Sequence, residues 1–152
     1  GDGEEEWIDG AKYVGAYKNG MKHGYGVYKW ANGSIYRGNW ENNKISGYGE
    51  YFWNDGREYK GYWRDNNMEG KGVYTWADGR MYDGNYLNDK KHGFGVYTYP
   101  DGRSYSGDWK NGKQDGEGIF QTPDGQNKRG IWKEGKRIQW LDDSQNYEEE
   151  ED

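Results

Sequence analysis

The sequence predicts an all-β fold, an elongated single-layer antiparallel β-meander rod with two strands in every 23-residue repeat. A glycine preceded by Asp or Asn returns every 23 residues without insertion or deletion. Between these glycines, polar and apolar residues alternate with the period of a strand. Nine Trp, 16 Tyr and 27 Gly replace most aliphatic residues, which suits a thin sheet of stacked rings. The recurring glycines are Gly10, Gly33, Gly56, Gly79, Gly102 and Gly125.

Each repeat contains two short strands that carry rings and glycines on one face. In the first strand, as in Tyr36-Arg37-Gly38-Asn39-Trp40, Tyr, Gly and Trp alternate with polar residues. The second strand, as in Gly72-Val73-Tyr74-Thr75-Trp76, repeats this alternation. We therefore expect rings to lie over bare glycine backbone on a neighbouring strand, in place of a second layer. The glycines with this structural role are Gly38, Gly49, Gly61, Gly72, Gly84 and Gly95.

The two connections in each repeat differ in sequence. The Asx-Gly pair, as in Asp55-Gly56, predicts a two-residue type I′ hairpin turn, because that turn needs a positive φ at both residues. The other connection, at residues 41–46 for example, is predicted to be a longer polar loop. Accumulated strand twist is expected to coil the resulting meander into a groove.

Charge is distributed unevenly along the chain. The net charge is −6, yet all 21 Lys and Arg fall within residues 7–141, which carry +5. Residues 1–6 carry −4 and residues 142–152 carry −7. Acidic segments of this kind usually remain disordered. The sequence therefore predicts an acidic disordered N-terminal segment, one repeat domain over residues 7–141 and an acidic disordered C-terminal tail.

The repeats resemble those of the MORN (membrane occupation and recognition nexus) family. The copy from Tyr82-Asp83-Gly84-Asn85-Tyr86 to Pro100-Asp101-Gly102 carries the whole family pattern. The resemblance implies five full repeats and a partial capping repeat, in which Lys128 replaces the expected Tyr and no Gly-x-Gly follows. Residues 137–141 are expected to form an apolar cap. The repeat style and acidic ends are similar to those of radial spoke head and other ciliary MORN proteins.

This resemblance implies a scaffold or adaptor that binds an extended or helical segment of another protein, in a cytoskeletal, ciliary or motor-associated assembly of the cytoplasm. The residues themselves favour a binding surface too. A single sheet has no second layer to cover the ring that ends each strand, so these rings are expected to stay partly open and to line the groove. The predicted groove residues are Trp30, Trp40, Trp53, Trp63, Trp76, Tyr86, Tyr99 and Trp109.

Other binding roles stay open at this point. Lysines in the long loops would favour binding to an anionic membrane surface, although acidic residues in the same loops weaken the positive electrostatic field of these lysines. The family also accompanies enzyme domains in larger proteins, so the repeats could regulate such a domain. End strands could self-associate through unpaired backbone groups. The loop lysines are Lys18, Lys22, Lys44, Lys90, Lys91, Lys110 and Lys113.

The sequence offers no candidate catalytic site. The two histidines, His23 and His92, lie three repeats apart, about 29 Å at the usual strand spacing, and are predicted to cap loops. The Asx-Gly carboxylates lack the alternating ligands of a calcium loop, and no Cys is present. Scattered lysines argue against nucleic-acid binding. We therefore expect a protein without enzymatic activity, metal or cofactor.

Overall fold

A computed structural model describes residues 1–141, which form one antiparallel sheet of thirteen strands. The strands follow one another across the sheet in chain order, so the predicted single-layer meander is confirmed. No helix in this described part of the chain is long and apolar enough to cross a membrane. The predicted disordered tail at residues 142–152 lies outside the described residues.

Strands of two lengths alternate through the repeats, and a shorter strand stands at each end. The first strands are β2 (Lys12–Lys18), β4 (Ile35–Glu41), β6 (Glu58–Arg64), β8 (Met81–Leu87), β10 (Ser104–Lys110) and β12 (Asn127–Lys133). The second strands are β3 (Met21–Lys29), β5 (Lys44–Phe52), β7 (Asn67–Thr75), β9 (Lys90–Thr98) and β11 (Lys113–Gln121). The end strands are β1 (Asp2–Glu6) and β13 (Lys136–Trp140).

Glycine pairs with glycine across the sheet, and the pair between the first and second strands of a repeat is followed by a register shift. Gly38 of β4 lies opposite Gly49 of β5, whereas Trp40 lies opposite Ile45. The shift recurs between the first and second strands of the other four repeats. It is a β-bulge that bends the ribbon at the same point in every copy.

The tight turn of each repeat lies at the connection that was predicted to be a long polar loop. Asn42 and Asn43 both have positive φ, 49° and 70°, and Glu41 pairs with Lys44 on either side of them. Two successive residues with positive φ make a type I′ turn. The prediction was wrong because it reserved this backbone conformation for glycine, whereas Asn and Asp also adopt it.

The Asx-Gly connection is the wider of the two. At this turn only Gly56 has a positive φ, 97°, and its N–H donates to the Trp53 carbonyl oxygen at 3.2 Å. The Trp53 N–H in turn donates to the Arg57 carbonyl oxygen at 2.9 Å. This is a three-residue hairpin loop that ends in a left-handed glycine, and the predicted two-residue turn at Asp55-Gly56 is wrong.

The predicted disorder of residues 1–6 is also wrong. Strand β1 pairs with β2 along its whole length. Lys12 Nζ lies 2.9 Å from Glu4 Oε2, and the Tyr17 hydroxyl donates to Glu5 Oε1 at 2.9 Å. Acidity alone favours disorder, but the open edge of β2 offers backbone partners and a cation that the composition of the segment does not reveal.

At the other end of the sheet, Lys128 stands where the other repeats have a tyrosine, and Trp140 stands where they have a glycine. Trp140 of β13 takes the register of the missing glycine, opposite Gly130, and its ring lies edge-on to Trp132 at 6.0 Å. Lys128 is only 6% exposed, and its Nζ lies 5.6 Å from the Trp140 ring centroid. The ring missing at position 128 is thus supplied from the neighbouring strand, at the end of the core.

Candidate functional site

The innermost row of the core consists of one tyrosine from each repeat. A β-carbon on Gly49 would overlap the ring of Tyr36, so the ring can lie there only because Gly49 has no side chain. The Tyr36 hydroxyl donates to the Asn39 carbonyl oxygen at 2.8 Å, beside the bulge. Burial raises the pKa of Tyr36, which keeps the phenol neutral. The inner-row tyrosines are Tyr13, Tyr36, Tyr59, Tyr82 and Tyr105.

The six glycines with a predicted structural role lie in two kinds of close contact. Those of the second strands lie beneath an inner-row ring, namely Gly49, Gly72 and Gly95. Those of the first strands face the α-carbon of the paired glycine so closely that a β-carbon would collide with it, namely Gly38, Gly61 and Gly84.

Four of the eight rings assigned to the groove are buried in the core instead. Trp40 lies edge-on to Tyr13 and Tyr36, at 5.5 and 5.4 Å, and its indole N–H donates to the Gly26 carbonyl oxygen at 3.2 Å. The prediction considered each strand by itself. In the sheet, Trp40 is covered by rings from two adjacent repeats and lies opposite Ile45 of the next strand. The buried rings are Trp40, Trp63, Tyr86 and Trp109, each 6–7% exposed.

The other four predicted rings are half-buried and belong to a continuous row that we call the aromatic ladder. Rings that precede the Asx-Gly turns alternate in it with tyrosines of the second strands. Consecutive centroids are 4.4–5.5 Å apart, within the range of favourable aromatic pairs. In order, the ladder consists of Trp7, Tyr28, Trp30, Tyr51, Trp53, Tyr74, Trp76, Tyr97 and Tyr99.

Arginine–aspartate pairs line part of the ladder. The Arg57 guanidinium carbon lies 5.0 Å from the Trp53 centroid, its Nε lies 2.9 Å from Asp55 Oδ2, and its Nη1 donates to the Tyr74 hydroxyl at 3.0 Å. Hydrogen bonds from the backbone N–H and then the side chain of Arg57 hold the pKa of Asp55 below its ordinary value. Arg80 and Arg103 form the equivalent pairs and stack on the ladder ring four residues before them.

The second residue after the tight turn fills a space between four rings, which we call a ring cage. The Nζ of Lys91 lies 5.3–5.7 Å from the centroids of Trp76, Tyr82, Tyr97 and Trp109. The Nζ of Lys22 lies 5.5–5.6 Å from Trp7, Tyr13, Tyr28 and Trp40. These two lysines therefore face the rings, contrary to the prediction that grouped them with the loop lysines along one charged edge.

The opposite face of the sheet carries exposed rings that sequence reasoning missed. Tyr25, Tyr48, Tyr62 and Phe94 are 44–59% exposed, and Tyr48 and Tyr62 meet edge-on at 5.5 Å. Three of them stand between the two glycines of a Gly-x-Gly pair, where strand alternation already predicts an outward side chain. They are separated by polar residues and form no continuous row.

Polar groups in the described residues serve turns and loops. The Asn42 N–H donates to His23 Nδ1 at 3.4 Å. Asp115 has the same repeat position as His23, and its Oδ2 accepts a hydrogen bond from the Glu134 N–H at 3.2 Å. This is the loop-capping role that the repeat position predicted for His23. Across residues 1–141, no group of His, Asp and Glu side chains is arranged to hold a metal ion.

Comparison with known proteins connects these features to a repeat family and to other solved structures. The MORN repeat model matches residues 13–35, 36–56, 59–79, 82–102 and 105–127. The SAS-4 (dCPAP) TCP domain of Drosophila melanogaster, solved in complex with a proline-rich motif of Ana2 (dSTIL), is similar at 14% identity and a TM-score of 0.44, over 93% of this chain and 90% of that chain. The TCP10 domain of Danio rerio CPAP is similar at 17% identity and a TM-score of 0.35, over 90% and 69%. No curated protein matches.

Proposed function

Because this chain belongs to the MORN repeat family, we propose that it is a non-catalytic scaffold that binds a segment of a partner protein along the aromatic ladder. The observation that carries the proposal is the continuity of the ladder, nine rings in sequence of which seven are half-buried and keep part of their surface open. Contiguous apolar surface of this kind usually marks an interaction site, and Trp, Tyr and Arg dominate binding hot spots.

The construction of the ladder supports binding rather than a purely structural role. The inner row and the buried rings already form a closed core beneath it, in which Trp63 donates its indole N–H to the Gly49 carbonyl oxygen. Trp30 has no arginine stacked on it from this position, because Ser34 occupies the position at which Arg57 stacks on Trp53 in the next repeat. The ladder therefore offers an apolar row with polar, charge-balanced Arg–Asp pairs along part of it, the usual plan of a core with a polar rim.

The spacing of the ladder fits a helical partner segment. Rings before successive Asx-Gly turns are two strands apart, roughly 9.6 Å at the usual strand spacing. Residues seven apart on an α-helix are separated by roughly 10.5 Å along one face. A helix with apolar residues at seven-residue intervals would therefore place one of them near each of Trp30, Trp53 and Trp76.

The cellular setting that we propose is cytoplasmic and associated with the cytoskeleton or a cilium, in keeping with the similarity of the repeats to ciliary MORN proteins. Anionic-lipid binding is the weaker alternative, because Lys22 and Lys91 lie over aromatic rings and the remaining loop lysines are interspersed with acidic residues. Regulation of an attached enzyme domain has no specific feature of the described residues in its favour.

Site-specific cross-linking tests the ladder directly. A photoreactive phenylalanine analogue replaces Trp53 in one protein and Tyr62 in a matched control, so that the probes lie on opposite faces of the same strand region. We expect a partner segment to be captured at position 53 alone and to show apolar residues at seven-residue intervals. Capture of the same segment at position 62 alone would place the binding surface on the other face.

A binding measurement with the captured segment completes the test. The double variant Trp53→Ala/Trp76→Ala removes two half-buried ladder rings, and Tyr48→Ala/Tyr62→Ala removes the exposed pair of the opposite face. We expect a loss of about 100-fold in affinity for the ladder variant, two hot-spot residues at about 1.4 kcal/mol each, and little change for the control. Circular dichroism confirms that both variants fold, and equal affinity of a folded ladder variant would end the proposal.

A further inference from the structure

The ring cages have different occupants along the chain. The second position after the tight turn is filled in successive repeats by Lys22, Ile45, Met68, Lys91 and Gln114. Two of these residues place an ammonium group among four rings, and Ile45 and Met68 pack against the aromatic core as apolar side chains. Gln114 is shorter than lysine and carries no charge, so the fifth cage has no cation of its own at this position.

The fifth cage retains the complete set of rings and contains an open cavity. Moving one repeat along from the four rings around Lys91 gives Tyr99, Tyr105, Phe120 and Trp132. All four rings, together with Gln114, line a cavity of about 570 Å³. The ring contact that precedes each earlier cage, such as Trp76 on Tyr97 at 5.5 Å, is not repeated between Tyr99 and Phe120 within residues 1–141.

From this geometry we infer that the fifth cage is a binding site for a methylated lysine side chain of a partner protein. The rings attract a cation through their negative faces, and aromatic cages of this kind suit quaternary ammonium groups. The chain itself demonstrates the chemistry twice, since Lys22 and Lys91 place ammonium groups at the centre of equivalent cages. The site uses a single ladder ring, Tyr99, and does not depend on the proposed function.

The cations near the cavity have counterparts beside the cage that already holds Lys91. Arg103 lines the cavity and pairs with Asp101 at 2.9 Å, as Arg80 pairs with Asp78 at 2.8 Å next to Lys91. Lys136 corresponds to Lys113 one repeat earlier, so a lysine also holds the equivalent position next to the Lys91 cage. Neighbouring positive charge of this amount is therefore compatible with an ammonium group among the rings.

Arg137 is the additional cation at the fifth cage, and it is directed to another ring. Its guanidinium carbon lies 4.4 Å from the Trp140 centroid, on the end strand β13.

The hydration cost of placing an ammonium group among the rings favours the methylated form of the ligand. Burial, with a smaller effect of Arg80, lowers the pKa of Lys91, so an unmethylated ammonium loses hydration when it enters a cage. Methyl groups reduce that loss and add apolar contact with the rings.

Titration with a small probe tests the site on the intact chain. The probe is Nα-acetyl-trimethyllysine amide, and the matched ligand has carbon in place of the quaternary nitrogen, with the same shape and no charge. We expect the methyl proton signals of the charged probe to shift upfield in NMR spectra, because the rings shield them, and its affinity to exceed that of the neutral ligand about tenfold. Equal affinities would overturn the inference.

Two substitutions exchange the occupants of the cages. Gln114→Lys supplies the fifth cage with its own ammonium, as at Lys91, and we expect at least tenfold weaker binding of the probe by a chain that folds normally. Lys91→Gln empties the fourth cage, and we expect a second site for the probe. Unchanged binding by Gln114→Lys, or a single site in Lys91→Gln, contradicts the assignment. Unmethylated Nα-acetyl-lysine amide is expected to bind more weakly than the probe, and tighter binding would contradict the preference for methylation.

Discussion

The ring of Tyr59 lies over the backbone of Gly72 on the neighbouring strand and leaves no room for a β-carbon there. The hydroxyl of the same tyrosine donates to the Tyr62 carbonyl oxygen at 3.0 Å, next to the bulge. One side chain thus covers the adjacent strand and also forms a hydrogen bond with a backbone carbonyl at the bulge, where the regular hydrogen bonds between the strands are interrupted. Because this contact recurs in each repeat, a sheet without a second layer still has a continuous buried core.

Gly72→Ala tests this contact. The added methyl group would overlap the Tyr59 ring and the ring cannot move away without disturbing the buried rings around it, so we expect a loss of about 3 kcal/mol in the free energy of unfolding. Urea denaturation measures it. Gly20→Ala is the control, because Gly20 has open space around it and only its positive φ of 77° is strained. We expect it to cost about 1 kcal/mol, and equal losses in the two variants would contradict the steric explanation.

The second residue of the tight turn offers a stabilising substitution. The side chains of Asn43, Asn66 and Asp89 accept a hydrogen bond from a backbone N–H of the preceding repeat, at 2.7–2.8 Å. Gly112 occupies the same position without a side chain and donates only its own N–H to the Lys91 carbonyl oxygen at 2.9 Å. We expect Gly112→Asn to add a hydrogen bond to the Lys91 N–H and to raise the free energy of unfolding by about 1 kcal/mol.

Gly112→Ala separates the hydrogen bond from the change of backbone freedom. Its positive φ of 86° disfavours Ala, so this variant is expected to be less stable than the parent chain by about 1 kcal/mol. Thermal unfolding of the three proteins ranks them. If Asn and Ala destabilise the chain equally, the added hydrogen bond does not form.

Stability should fall in alkaline solution. Burial, and then the hydrogen bond to the Glu5 carboxylate, raise the pKa of Tyr17 to about 12, whereas an unfolded tyrosine ionises near pH 10. A raised pKa means that the folded chain holds the phenol proton more tightly, so this contribution is complete below about pH 10 and is lost as the pH rises towards 12. Burial likewise raises the pKa of Tyr36 and Tyr59.

Urea unfolding at several pH values measures this loss, and tyrosinate absorbance records the ionisation. Tyr17→Phe removes one of the titrating groups while keeping a ring at the position. We expect a shallower decline of stability between about pH 10 and 12 in this variant. A decline as steep as that of the parent chain would show that Tyr17 does not contribute.

Lys91→Met tests the cost of placing a cation among the rings. Burial lowers the pKa of Lys91, so the charged form loses more hydration than the rings return. Met68 fills the same repeat position one copy earlier and packs against the aromatic core. We expect the free energy of unfolding of the variant to be higher by about 1 kcal/mol, since a buried cation is replaced by an apolar side chain of similar length. Lower stability would mean that attraction to the rings outweighs the lost hydration.

The fold could be predicted from local pattern, whereas the turns and the ends of the sheet required the third dimension. Alternation and the constant period correctly predict two strands per repeat and their order in the sheet. The tight turn and the wider turn were predicted at each other's positions, because Asn42 and Asn43 adopt positive φ without glycine. Strand β1 was missed because its composition is that of a solvated segment, and its partner strand decides that it pairs.

Only half of the eight predicted groove residues belong to the aromatic ladder, for a similar reason. Trp30 and Trp40 are both rings that end a strand, and sequence pattern gives them the same expectation. The bulge and the adjacent repeat cover Trp40 with Tyr13 and Tyr36, whereas Trp30 stands in the wider turn and joins the ladder. Tyr13 lies 27 positions before Trp40, in the preceding repeat, and alternation within one strand does not record that contact.

By itself the sequence determined the repeat, the strand face that carries the rings and the need for glycine beneath them, because these follow from spacing along one chain and from the size of a side chain. Only the tertiary structure decided which rings are buried, which ring cage contains an open cavity and where the ladder lies. Those features arise from contacts between successive repeats, and the same ring type has a different environment on each side of the bulge.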